Sequence, residues 1–409
     1  RALQGGRGKM MRVALASIHP RPLSGQIESL VGLAHALQER GNSVQVVSAF
    51  PSEDLLGANR NRLARQSRRV FFDQPARMTR ILAQLVRLAT RVDVIQLNLP
   101  TPAFAIYADL LQTLVRVPVI VGYEAHLVRA RDLLRRNQLF AAPDFYFLRL
   151  LINNHLLARM TLRRAAGYLV NTEYQKAELI SLGVAPTRIH LLPPVLPQDK
   201  LTRVPRETVR PQFPLGRLVT FIGHYNHVKG VDVLIRAFRL LAPRVPEAQL
   251  VLAWSGIGSD RRVKELLTDR ALAGRVIQLG QVRVPELLSA SDVVALPYRL
   301  TIGQAACPAT LLEVCAANVP LVTSDLPLLR ELTGDGKTAL LVPPDDPDAL
   351  AAAIERVLNE PTLVSQMLAA QCKWIQQIEP SYAAQNYEQV YEQIITNQAR
   401  VLRPAPDRE

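Results

Sequence analysis

The chain has 409 residues, 48% of them hydrophobic, which exceeds one ordinary core and suits two domains of about 150 to 200 residues with a cleft between them. Its longest apolar runs, such as Val117 to Val121 and Ala339 to Val342, break off far short of the ~20 residues of a membrane span, and Cys307, Cys315 and Cys372 make neither an even disulfide set nor a CxxC metal pair, as suits a reducing cytoplasm. The formal net charge of +14 sits in the first half, with 30 basic against 14 acidic residues over 1–216 and 16 against 16 over 217–373, so the first half either attracts an anionic partner (a lipid headgroup, a phosphorylated acceptor, nucleic acid) or carries a solvated arginine-rich face.

Residues 1–9 are positively charged without the apolar stretch and cleavage site of a secretory signal, and stand apart from the fold. Met11 to Ala16 reads as a short buried strand, followed by a loop with Pro20, Pro22 and Gly25. Ile27, Leu30, Val31, Ala34 and Leu37 then recur at helical spacing up to Gly41, which suits a helix C-cap. Ser43 to Val47 completes a βαβ unit, and strands over 92–97, 117–123, 167–170 and 189–192 alternate with helical stretches, the rhythm of a doubly wound parallel sheet. Pro193 to Gly216 is polar and Pro-rich, as a linker would be. The rhythm then restarts: strand 218–221, helix 231–241, strands 250–254, 276–279 and 293–296, helix 309–317, strand 321–323. The tail over 382–399 is an amphipathic helix with Tyr387, Val390, Tyr391 and Ile394 on one side. The expected domains are therefore 10–195, a linker over 196–216, 217–378, and a closing helical segment over 379–409.

Three pieces carry candidate chemistry. Ser24-Gly25 lies between the first strand and a helix, where it is either a plain turn or a place where backbone amides and the helix dipole meet a phosphate or sugar hydroxyl. The second half opens alike: Gly223 ends a strand and permits close backbone approach, His224 follows, and Lys229 precedes a helix, well placed to neutralise a departing diphosphate. Third, the helix start at Ala309, Thr310 and Leu311 offers free N–H groups, and Glu313 one turn later is either a ligand for paired ribose hydroxyls or a solvated carboxylate.

The ordered set Lys229-Gly230, the strand at Leu250, Gly256-Ile257-Gly258, Leu311-Leu312-Glu313-Val314, Pro320 to Ser324, Glu331, Leu340 to Pro344 and Asp348-Ala349-Leu350 resembles the retaining glycosyltransferase family 4, and the likeness runs from Met11 to about Tyr391. The resemblance implies an α/β GT-B fold, two Rossmann-like doubly wound parallel-sheet domains facing across a cleft, with the first binding an acceptor and the second a nucleotide-sugar, and the closing helix crossing back to the first domain. It implies a hexosyl transfer from a nucleotide-diphosphate sugar to a polar or lipid-linked acceptor, with no bound cofactor and no metal. Residue by residue, Gly25 matches the second glycine of the family's first-loop pair near the donor diphosphate, Lys229 its phosphate-binding lysine, Glu313 the ribose-holding second glutamate of its Glu-x7-Glu element, and His126 its active-site histidine after a first-domain strand. This chain departs from the pattern at His224, where the family usually has Arg, at Ala305, where the first Glu would fall, at Pro308, and at Pro193-Pro194 in place of the start of Pro-Asn-Gly.

No carboxylate nucleophile is evident, so the expectation is front-face attack, with Lys229 and two helix N-termini stabilising the leaving diphosphate and His126 positioning acceptor or sugar. Ala305 and His224 keep open an alternative, a nucleotide-sugar-binding protein without transfer activity. The one Asp-x-Asp match, Asp346-Pro347-Asp348, sits at a helix start and reads as a cap. Residues 60–91 carry nine arginines against one acid and residues 127–164 eight against two, the latter interleaved with Leu, Phe, Tyr and Ile like a helical hairpin on a membrane surface. The expectation is a cytoplasmic protein attached peripherally to an anionic inner leaflet. With 5% aromatics and no recognition motif, nucleic acid is not an expected partner.

Overall fold

The computed structural model describes residues 10–18, 25–48, 74–99, 104–124, 155–213, 215–254, 261–280, 282–300 and 307–402. The first lobe is built on six parallel strands, β1 (Arg12–Ser17), β2 (Ser43–Ser48), β3 (Val94–Leu99), β4 (Val119–Tyr123), β5 (Gly167–Val170) and β6 (Ile189–Leu191), in the order β2-β1-β3-β4-β5-β6. β3, β4 and β5 are buried along their whole length; β4 and β5 read as continuous apolar runs because helices cover both faces of a parallel sheet, whereas β3 also buries Gln96 and Asn98, which bond to each other. Helices α1 (Gly25–Glu39), α2 (Gln74–Leu88), α3 (Ala105–Leu114), α4 (His155–Thr161) and α5 (Glu173–Ser181) connect them. Gly41 ends the α1 region at φ 92°, donating to the Gln38 carbonyl while Asn42 donates to Leu37, the C-cap expected of that glycine.

The Pro-rich stretch after β6 is not an extended tether. It holds two single-turn helices, α6 (Gln198–Leu201) and α7 (Arg206–Val209), with Val195 buried in a first-lobe cluster and Leu196 in the main cluster of the second lobe. The Arg206 guanidinium donates to the Ser291 carbonyl and to Asp292, and Val209 packs with Leu218, Val251 and Leu287. Prolines that forbid a long helix still permit one-turn pieces, and buried apolar residues fix them on the second lobe.

The second lobe repeats the plan with β7 (Arg217–Gly223), β8 (Ala248–Trp254), β9 (Val276–Leu279), β10 (Val293–Leu296), β11 (Leu321–Ser324) and β12 (Leu340–Val342) in the order β12-β11-β10-β7-β8-β9, all parallel. Its helices are α8 (Val231–Leu241), α9 (Arg261–Leu266), α10 (Val284–Ala290), α11 (Ala309–Ala317), α12 (Pro327–Leu332), α13 (Pro347–Asn359) and α14 (Pro361–Ile375). β12 goes unanticipated because three residues are too few to show a period. The Asp346 carboxylate accepts the Ala349 N–H at 2.9 Å and starts α13 as a cap.

The chain ends on α15 (Pro380–Leu402), which packs against α1, and Tyr387, Tyr391 and Ile394 are buried among Met11, Val13, Leu30 and Leu37 of the first lobe. Tyr391 donates its hydroxyl to Gln96 on β3, and Glu388 accepts from Arg40 and Asn42. The strand order reverses between β1 and β3 in the first sheet and between β10 and β7 in the second; these switch points are where doubly wound sheets leave a crevice for ligands.

Candidate active site

The second-lobe switch point is lined by the loops after β7 and β10. β7 ends on Gly223 at φ 154°, a backbone setting that glycine tolerates and other residues avoid. His224, half-buried, follows it. The Asn226 side chain then accepts the Lys229 N–H at 3.1 Å and caps a short 3-10 turn over 227–229. Gly230 closes that turn at φ 65°, and a Cβ there would strike the Pro297 carbonyl, so only glycine lets this loop lie against the one after β10.

The close approach sets Lys229 on Tyr298. Its ammonium stands 4.4 Å from the ring centroid and 3.5 Å from the hydroxyl, a cation–π arrangement. Burial pushes the Lys229 ammonium down to about 8. Tyr298 is itself fully buried, and burial, then the neighbouring Cys307 and Glu313, hold its phenol above the ordinary range. The same ring thus has Lys229 stacked on it and Glu313 near enough to act on it electrostatically.

Glu313 lies on α11. The Pro308 carbonyl accepts the Leu311 N–H at 2.9 Å, and the Leu311 side chain is fully buried. Leu311 therefore does not join the anion-facing donors; the first turn offers Ala309 and Thr310, whose N–H groups have no carbonyl partner within the helix. Glu313 is 7% exposed, and its carboxylate meets the Lys200 ammonium of α6 at 3.0 Å. Burial raises the Glu313 carboxyl, against which Lys200 pulls it down.

Gly25 is the first residue of α1, so the amide end of that helix points from the first-lobe switch point. His126 lies outside the described residues, as do Ser24, Ala305, the Gly256-Ile257-Gly258 turn and most of the two arginine-rich segments. Four residues that bear on the site escape sequence reasoning: Tyr298, Lys200, Arg299 and Asp345. The signal for the first was position alone, directly beyond a strand at a topological switch. Arg299 is 2% exposed and donates to both oxygens of Asp232 at 2.7 and 2.6 Å, to Asp345 at 3.0 Å and to the His227 carbonyl at 2.9 Å. It pins the Lys229 loop to the lobe beneath it.

The lobes also meet beyond the linker. The Glu331 carboxylate of α12 accepts the N–H groups of Glu173 and Tyr174, at 2.5 and 3.0 Å, at the start of α5. Among the described residues no group of three or more His, Cys, Asp or Glu could hold a metal ion, and no helix is long and apolar enough to cross a membrane.

Two family models match consecutive parts of the chain: Glycosyltransferase Family 4 over residues 23–199 and Glycosyl transferases group 1 over residues 216–360. A phosphatidyl-myo-inositol mannosyltransferase of Mycolicibacterium smegmatis is 32% identical over 183 residues, 44% of this chain and 46% of that protein. An alpha-D-kanosaminyltransferase of Streptomyces kanamyceticus is 29% identical over 219 residues, 51% of this chain and 55% of that one. The chain spans about half the length of the curated relatives it matches. Among solved structures, the sucrose-phosphate synthase of Thermosynechococcus elongatus superposes with a TM-score of 0.71 at 20% identity, covering 95% of this chain and 100% of that one. HepE of Anabaena in complex with UDP does so with 0.67 at 17%, covering 94% and 100%. At these identities the structures establish the GT-B fold alone.

Proposed function

Because the chain belongs to the family 4, group 1 glycosyltransferases, we propose that it is a retaining hexosyltransferase using a nucleotide-diphosphate sugar. The observation that carries this reading is the Lys229 ammonium held on the Tyr298 ring at the switch point, with Glu313 near that ring. Such a site fits a diphosphate beside a ribose. Lys229, the first amides of α11 and the amide end of α1 stabilise the charge that develops as the bond from the sugar's anomeric carbon to the diphosphate breaks, its electron pair leaving on the phosphate oxygen. The acceptor oxygen bonds to the same face of that carbon, and its proton passes to the departing phosphate oxygen. His126 positions acceptor or sugar, and approach of the lobes excludes water as a competing acceptor.

The test is nucleoside diphosphate release by the purified protein. UDP-, GDP- and ADP-sugars are first screened for thermal stabilisation, since a ligand that binds only the folded state raises Tm, and turnover with the stabilising donor is then followed with and without EDTA. Turnover should persist in EDTA, because the charge on the diphosphate is met by Lys229 and backbone amides. Complete loss in EDTA overturns the metal-independent mechanism. Binding without any turnover favours a nucleotide-sugar-binding protein instead.

The acceptor is read as lipid-linked, reached from the cytoplasmic face of an anionic membrane. Ile106, Leu110 and Leu114 are exposed on one stripe of α3, at i, i+4 and i+8, and Leu156 and Met160 are exposed on α4, which packs beside it. Arg116, Arg159, Arg163 and Arg164 are exposed around them, a pairing of apolar area with positive charge that suits a headgroup region. The M. smegmatis relative, named for phosphatidyl-myo-inositol, supports the same reading. Vesicles of phosphatidylcholine containing phosphatidylglycerol should carry the chain in flotation, and Leu110→Glu with Leu156→Glu should leave most of it unbound. No preference for anionic over neutral vesicles removes the membrane part of the reading.

A further inference from the structure

Lys200 occupies an unusual junction. It sits on α6 between the lobes, its ammonium 3.0 Å from Glu313 on α11 and 3.7 Å from Glu28 on α1. The surrounding chain is tied to both helices. On the first-lobe side Ser29 donates its hydroxyl to the Val195 carbonyl at 2.8 Å, and α1 passes so near Pro197 that a Cβ on Gly32 would stand 3.1 Å from the Pro197 Cα. On the second-lobe side Arg203 donates to the Ala316 carbonyl at 3.0 Å, one turn beyond Glu313 on the same helix. One ammonium therefore joins the first turn of the helix that begins at Gly25 to the carboxylate of the helix that begins at Ala309, and both helices belong to the donor site proposed above.

We propose that Lys200 is a positioning residue for the donor: it keeps the Glu313 carboxylate ionised and aimed at the ribose hydroxyls, and through Glu28 it links ribose binding to the approach of the first-lobe helix. The inference rests on the donor-site reading. The charged and titratable groups facing this cluster are Lys200 and Asp199 of α6, Glu28 of α1, and Tyr298 beyond β10. Burial and the two acidic neighbours, Glu28 and Asp199, all raise the Glu313 carboxyl, and Lys200 alone among them opposes this. Without Lys200 the carboxyl shifts further up and is more readily protonated. A protonated Glu313 has one oxygen fewer to accept from a pair of hydroxyls.

The experiment is calorimetric titration of UDP, GDP and ADP into native protein and Lys200→Met, from pH 6.5 to 9, using whichever nucleotide binds the native chain. The ratio of the two dissociation constants removes the contribution of Lys229, which titrates alike in both. That ratio should be severalfold at pH 6.5, and should shrink towards pH 9 as the carboxyl ionises unaided. Lys200→Arg should bind nearly as the native chain does. The 2′,3′-dideoxy form of the same nucleotide should show no loss on Lys200→Met, since it lacks the hydroxyls. Should the single variant fold poorly, Glu313→Gln with and without Lys200→Met answers the question, because Lys200→Met should then add nothing. A ratio of one, a loss equal at every pH, or an equal loss for the dideoxy nucleotide overturns the inference while native binding leaves the donor site standing. No binding of any of the three by the native chain overturns the donor site and this inference with it.

Discussion

Lys229→Ala should lower kcat by about a hundred- to a thousandfold with little change in Tm. The rate effect follows from what the ammonium faces: it is held 4.4 Å from the Tyr298 ring centroid, where one preorganised charge aimed at a developing anion contributes about 3 to 4 kcal/mol. The stability effect differs, because burial already disfavours the charged amine; removing it removes that cost along with the cation–π contact. The pH dependence has a definite sign. The protonated form is the functional one, and in the free protein it is lost as pH rises through about 8. kcat/KM, which reports the free enzyme, should therefore fall above pH 8. kcat should fall only at higher pH, because a bound diphosphate favours the ammonium. Lys229→Arg should recover only part of the rate, since a planar guanidinium does not occupy the same point above the ring. The measurements are initial rates at saturating and limiting donor from pH 6.5 to 9.5. A variant within threefold of native, or a flat kcat/KM profile across that range, removes Lys229 from the chemistry.

What could be read in advance divides by the range of the interaction. β4 and β5, with every residue buried, are apolar because helices cover both faces of a parallel sheet, so the twice-written α/β rhythm was legible from local pattern. Lys229 was legible for a related reason: a glycine closing a strand, then a lysine, then a helix, is a local arrangement. Glu313 was only half legible. A carboxylate in an apolar helix has the same spacing whether it meets water or a ligand, and only its 7% exposure and its ion pair with Lys200 separate the two. The remaining residues are joined by the tertiary fold alone. Tyr298 reaches Lys229 because Gly230 lets two loops touch, and Lys200 reaches Glu313 because prolines break the linker into single turns. No periodicity marks either pairing. Leu311 is a detail of the same kind: its N–H goes to the Pro308 carbonyl, a point of cap geometry that composition does not reveal.

Arg299→Leu should cost roughly 3 to 5 kcal/mol, the usual consequence of removing one partner from a buried ion pair, and should lower Tm by about 10 °C. The leucine fills much of the volume, so the loss is mainly electrostatic. It leaves Asp232, 1% exposed, with Arg236 at 2.8 Å and the nearby His227 to offset its charge. Burial alone would push the Asp232 carboxyl up, yet the hydrogen bonds and charge of Arg299 take it below its ordinary value. A carboxylate whose folded value is depressed contributes stability above its unfolded pKa of about 3.9 and loses it as pH falls through the folded value. In the variant the carboxyl shifts up and can be neutralised by protonation. The gap in Tm between native and variant should therefore be widest near pH 7 and narrow towards pH 4. Arg299→Lys should not restore the native Tm, because an ammonium cannot hold both Asp232 oxygens, Asp345 and the His227 carbonyl in one plane. Donor affinity should fall with stability, since the carbonyl released from Arg299 lies in the turn that carries Lys229. A Tm gap that stays constant from pH 7 to pH 4 would mean that Arg299 acts through packing and not through charge.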